Sequence, residues 1–288
     1  MLAHEFMRNA FLAGTFVAAA CGLVGYFVVL RSQVFAGDAL SHVAFAGALA
    51  AAAAGIDIRL GLFAATILVA VGMGALGERA RPDDVVIGSV FAWILGLGAL
   101  FLSIFVRGSS GSNGTAAVRV LFGSILGLSA ADARLGAAIA IAACLVLLAI
   151  ARPLLFSSVD PEVARGLGLP VGALGLGFFV VLAVVTAEAT QAVGALLLLG
   201  LLAAPGGAAR LLTDNPWLGL GFSAAIAVAS MWIGLALSYR IASLPASSAV
   251  IGVATAAFLA AVAIAQLRDR RAGPASAELG HAGFSEAT

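Results

Sequence analysis

Arg31-Ser32-Gln33-Val34-Phe35-Ala36-Gly37-Asp38-Ala39-Leu40-Ser41-His42-Val43-Ala44-Phe45-Ala46-Gly47 joins two long apolar runs, 9–30 and 38–55. The polar corner Arg31-Ser32-Gln33 ends the first run, and the second follows almost at once. Runs of about 16 to 22 residues suit helices that cross roughly 30 Å of hydrocarbon. The second run carries Asp38 and His42. Four residues apart, they share one face of a helix. Ionisable groups at membrane depth are costly, so they usually face a cavity, a partner or a substrate path. A carboxylate with an imidazole suits a first-row divalent ion such as Zn²⁺ or Mn²⁺. Two ligands do not complete a site, so others must come from another helix, backbone carbonyls or water. Plainer readings stand beside this one. Asp38 in the first turn of its helix would complement the helix dipole, and His42 could bond a backbone carbonyl.

Outward from this stretch the pattern repeats. Further apolar runs span 60–77, 85–106, 132–151, 171–187, 191–210, 216–238 and 246–267. Of 288 residues, 62% are hydrophobic and 10% are charged, whereas soluble domains carry about 25% charged residues. The expected fold is all-α: a polytopic transmembrane bundle of about eight or nine spans. Barrel strands would be about ten residues long and would alternate in character. The stretch 115–128 is shorter and reads as an interfacial or re-entrant helix. Residues 1–271 form the expected membrane domain, and the Gly-, Ala- and Ser-rich residues 272–288 a disordered cytoplasmic tail. The first run is long and leads directly into further spans, so it reads as a span rather than a cleaved signal peptide.

The thirty-five glycines, with many alanines, lie at small-residue spacings such as Gly123/Gly127 and Gly168/Gly172. They let membrane helices approach closely and indicate a packed bundle. Pro205 is expected to bend or end its helix.

Charge excludes several chemistries. All fifteen basic residues are arginine, and the net charge is +1. Without lysine there is no Walker A loop and no Schiff base. A charge near zero suggests no nucleic-acid partner. Cys21 and Cys144 each lie inside an apolar run and read as small buried hydrophobes. With the N-terminus outside, nine arginines fall inside and six outside, which satisfies the positive-inside rule.

Two other places stand out. Glu188, in Val185-Thr186-Ala187-Glu188-Ala189-Thr190-Gln191, falls at the outer end of one run. It is a further candidate metal ligand, or a solvated loop residue. Asp57 and Asp132 read as outer-loop charges. The segment Val159-Asp160-Pro161-Glu162-Val163-Ala164-Arg165-Gly166-Leu167-Gly168-Leu169-Pro170 is a polar island between spans. Asp160 can cap a helix, Pro161 suits its first position, Glu162 favours its N-terminal dipole, and Gly168 with Pro170 stops it. A short exposed cytoplasmic helix is expected, either an ordinary loop helix or a docking element.

The run from Val28 through Gly37-Asp38-Ala39-Leu40-Ser41-His42 to Gly47 resembles the permeases of bacterial ABC importers for zinc and manganese. Leu121-Phe122-Gly123-Ser124-Ile125-Leu126, Asp160-Pro161-Glu162-Val163-Ala164, Gln191-Ala192-Val193-Gly194-Ala195-Leu196-Leu197, Ala204-Pro205 with Ala208-Ala209-Arg210, and Leu244-Pro245-Ala246-Ser247-Ser248 follow in matching order. The resemblance covers about residues 9 to 267. It implies a type II importer-like permease in the bacterial inner membrane, paired with a second permease subunit as a homodimer. It also implies two separate cytoplasmic ATPase subunits and an extracytoplasmic metal-binding protein. The family's metal-binding Asp and His fall on Asp38 and His42. Its coupling helix falls on Asp160, Glu162, Ala164 and Gly168. No cofactor is implied; the metal is cargo. Some zinc-importing relatives carry a His where this chain has Val90-Phe91-Ala92-Trp93, which weakens zinc against manganese or iron. The competing expectations are a permease for a siderophore- or cobalamin-like chelate, and a stand-alone proton-coupled transporter using Asp38, His42 and Glu188. An intramembrane enzyme is least favoured, since no H-E-x-x-H is present.

Overall fold

The computed structural model describes residues 4–76, 84–107, 122–241 and 243–272. Every regular element among them is helical. Among the described residues, nine long helices match the nine apolar runs. They are α1 (Glu5–Leu30), α2 (Val34–Ala53), α3 (Ile58–Leu76), α4 (Asp84–Arg107), α5 (Ala130–Val159), α7 (Val171–Val193), α8 (Leu198–Leu212), α9 (Pro216–Arg240) and α10 (Ala246–Ala272). The short α6 (Pro161–Gly166) lies between α5 and α7. Seven helices, namely α1, α2, α3, α5, α7, α9 and α10, are long and apolar enough to cross a membrane. The apolar stretches Phe91–Phe105 of α4 and Leu198–Leu212 of α8 are shorter.

α1 is the centre of the bundle. It packs on α5, α8 and α9, with α10 closing over α8 and α9. α2 barely meets α1 and packs instead on α3 and α4. α7 joins the two groups by touching α1, α2, α3 and α5. The main core therefore collects α1 residues such as Phe27 and Val24 with Phe178 and Leu182 of α7 and Leu198 and Leu202 of α8. Without a hydrophobic drive between helices in lipid, close backbone approach supplies the packing energy. The α1–α8 crossing shows it: a methyl at Gly25 would run into the Leu202 carbonyl, and one at Gly206 would sit 2.6 Å from the Gly25 carbonyl.

Some expectations need correcting. α7 does not end at residue 187; it continues to Val193, and the chain turns at 194–197. α5 runs through Pro153 to Val159 rather than stopping near 151. Pro205 is buried inside α8, which carries on to Leu212 instead of ending. Of the expected helix at 115–128, residues 115–121 lie outside the described residues, and 125–127 form one 3₁₀ turn. The expected tail also lies outside the described residues, save Ala272.

Candidate metal site and helix corners

Asp38 and His42 lie on one face of α2, with His42 Nε2 3.9 Å from Asp38 Oδ1. That is too long for a hydrogen bond. Two ligand atoms each about 2.1 Å from one ion sit roughly 3–4 Å apart, so the spacing fits a shared cation. The side chains are 23% and 13% exposed respectively, mostly covered but not sealed. α2 starts at Val34, so Asp38 lies beyond the first turn, where a dipole effect has faded. Ser41 Oγ donates to the Asp38 carbonyl at 2.7 Å. Phe91 of α4 stands edge-on to the His42 ring, centroids 5.1 Å apart. The region where a further histidine might have been sought therefore presents an aromatic wall. Among the described residues, no group of three or more His, Cys, Asp or Glu side chains comes together. Asp38 and His42 are thus two candidate ligands side by side, with no third of these types beside them among the described residues.

Glu188 does not join that pair. It lies inside α7, 6% exposed, so the solvated-loop reading fails. Arg59, near the start of α3, donates from Nη2 to Glu188 Oε1 at 3.2 Å and from Nη1 to Asp132 Oδ1 at 3.2 Å. Asp132 is in the first turn of α5, held by Ser129 Oγ at 2.6 Å. One guanidinium thus ties α3, α5 and α7 at one end of the bundle. The fit is tight, because a methyl at Gly136 would strike Glu188 Oε1. Asp57 caps the start of α3, accepting from the Arg59 backbone N–H at 2.7 Å.

At the opposite end, α6 forms as its residue types dictate. Asp160 caps it, accepting from the Glu162 and Val163 amides at 3.1 and 3.0 Å. Pro161 takes the first position, and Glu162 is exposed in the first turn. Gly168 adopts φ +79°, and the Leu169 and Gly168 amides donate to the Ala164 and Arg165 carbonyls at 3.0 and 2.9 Å. This is the double bond of a glycine-stopped helix end. Within α6 only Ala164 is buried; Val163, and Leu167 just beyond, stand out from the surface.

Arg31 is a site residue that sequence reasoning did not single out. It sits half-buried at the α1–α2 corner. Its Nη1 donates to Ser158 Oγ and its Nε to Gln33 Oε1, both at 3.2 Å. Its guanidinium carbon lies 5.4 Å from the centre of the Phe178 ring, within cation–π range. Burial lowers this guanidinium from its ordinary value, yet arginine stays charged in proteins. Its only sequence signal is a polar triplet between apolar runs.

A model of the ABC 3 transport family matches residues 3–265. The probable iron transport system membrane protein of Haemophilus influenzae is 33% identical over 271 residues, covering 93% of this chain and 97% of the relative. The manganese transport system membrane protein MntC of Halalkalibacterium halodurans is 30% identical, over 84% of this chain and 82% of the relative. Among solved structures, PsaBC from Streptococcus pneumoniae in complex with Fab superposes with a TM-score of 0.78 at 25% identity, covering 90% of this chain and 91% of that one. With these matches and its apolar helices, this chain is a multi-pass bacterial membrane protein and belongs to the ABC 3 transport family.

Proposed function

We propose that the chain is the membrane permease of an ABC importer that brings a divalent metal ion into the cytoplasm by alternating access. Manganese is the favoured cargo and iron the next. The Asp38–His42 pair, 3.9 Å apart on one face of α2, carries this reading. A second copy of the chain would supply a second such pair and fill the coordination sphere. Two carboxylates with two imidazoles suit a first-row divalent ion such as manganese or iron, and the aromatic Phe91 beside His42 adds no further nitrogen ligand. The manganese and iron transport relatives described above support the same metals. Glu188, already bound by Arg59, is assigned to the Arg59 corner rather than to the ion.

α6 is the element offered to a cytoplasmic ATPase. Its exposed Val163, the adjoining Leu167 and the capped Asp160 present a rigid knob. An extracytoplasmic binding protein would deliver the ion. Transport then needs a site whose affinity differs between the two facing states.

The test is metal uptake by proteoliposomes holding the chain with its ATPase and binding protein. The parent is expected to take up Mn²⁺ or Fe²⁺ only with ATP. Asp38→Ala and His42→Ala are expected to insert normally and lose uptake by about a hundredfold, the upper end of site-to-site coupling. A ligand imidazole must be neutral, so uptake should fall as the medium is acidified through the His42 titration. Parental uptake by either variant would refute the metal role. Uptake without ATP would point to a stand-alone carrier.

A further inference from the structure

The coupling element and the metal-bearing helix do not touch each other in any way that would carry motion directly. α6 packs against α5 and α7, the two helices it connects. α2 receives its support from α3, α4, α7 and, over a smaller area, α8. Something must relate a push on α6 to the position of Asp38.

Arg31 is placed to do so. Ser158, which accepts its Nη1 hydrogen bond, is two residues before Asp160, the cap of α6. Phe178, beneath its guanidinium, lies on α7 after the chain has left α6. Gly175, one turn earlier on α7, leaves its Cβ position 3.7 Å from Arg31 Nη2. Arg31 therefore spans the base of the hairpin that presents α6, gripping the helix before it and the helix after it. Its third partner, Gln33, is the residue from which α2 starts. The corner is short and stiff. Ser32 holds φ +55°, and the Ser32 and Gln33 amides donate back to the Val29 and Val28 carbonyls at 3.1 and 2.8 Å. Asp38 follows five residues after Gln33 on a continuous helix. A shift of the α5 and α7 inner ends relative to each other must change what Arg31 can hold, and Arg31 sets where α2 begins.

We propose that Arg31 is a positioning residue that transmits displacement of α6 to α2 and so to the metal pair. It touches no metal. This inference rests on the transport reading above.

The experiment measures metal moved per ATP hydrolysed by the reconstituted complex, together with Mn²⁺ binding to the complex without ATP. Parent, Arg31→Gln, Arg31→Lys and Ser158→Ala are compared. Arg31→Gln is expected to bind Mn²⁺ like the parent and to keep hydrolysing ATP. Its metal per ATP should fall on the order of tenfold, the size of an ordinary coupling between sites. Ser158→Ala removes one hydroxyl from the grip and should lose a few-fold. Arg31→Lys keeps the charge but not the fork and should fall between. Should Arg31→Gln fail to assemble, Ser158→Ala decides alone. An unchanged ratio in Ser158→Ala and in every Arg31 variant that assembles would overturn the proposal. So would uptake that falls only in step with Mn²⁺ binding, since Arg31 would then merely help build the site. A parent without ATP-driven uptake would overturn the transport reading, and this inference with it.

Discussion

Arg59 and Arg31 each join three elements, and both tie α5 to α7, at opposite ends of the bundle. Their partners differ in kind. Arg59 meets two carboxylates, Glu188 and Asp132. Arg31 meets a hydroxyl, an amide and an aromatic face. A charge pair around a buried carboxylate is expensive to part, because the group left behind keeps its desolvation cost. Neutral partners hold a guanidinium in place yet release it cheaply. The Arg59 corner is thus built as a strut and the Arg31 corner as a joint.

The largest expected effect tests the strut. Arg59→Met strands Glu188 at 6% exposure, and the cost should be about 3 kcal/mol or more. Thermal unfolding of the purified chain in detergent would register it as a drop of several degrees. The double variant Arg59→Met with Glu188→Leu should regain most of the loss. If the single change leaves the melting temperature where it was, the contrast between the two ends is gone. Next comes Phe178→Leu at the joint. It removes the cation–π face and some buried volume, for roughly 1 kcal/mol. A loss as large as that of Arg59→Met would show the Arg31 corner to be no softer than the Arg59 corner. The smallest effect belongs to Asp132→Asn. Its side chain is 50% exposed, and exposed pairs contribute under about 1 kcal/mol. A larger drop would mean that Asp132, not Glu188, carries the strut.

Much of the fold was readable because lipid imposes a simple rule: a span must be apolar and long. All nine runs became helices. The short α6 was readable from local chemistry as well, since Asp160, Pro161 and Gly168 act on their own neighbours. What misled was polarity satisfied at a distance. Glu188 falls just past an apolar run that stops at residue 187, so the helix was expected to end there. It continues because Arg59, 129 positions away, pairs with Glu188, and because Thr190 Oγ1 donates to the Thr186 carbonyl at 2.7 Å. The same kind of long-range pairing hid Arg31, whose partner Ser158 is 127 positions on. The closeness of Asp38 and His42 was legible because both belong to one helix turn. No further ligand beside them was legible, and among the described residues no other His, Cys, Asp or Glu joins the pair.

The contact between Gly25 and Leu202, with Gly206 against the Gly25 carbonyl, has a mechanical meaning. Backbones meet there with no side chain between them. Sliding one helix along the other by a turn would drive a neighbouring Cβ into a carbonyl, and packed interiors do not yield by ångströms. α1 and α8 are thus locked against sliding past each other. α2 meets α1 over little surface and α8 over only a modest one. The helix that bears Asp38 and His42 is therefore tied to α3 and α4 far more closely than to the α1–α8 pair.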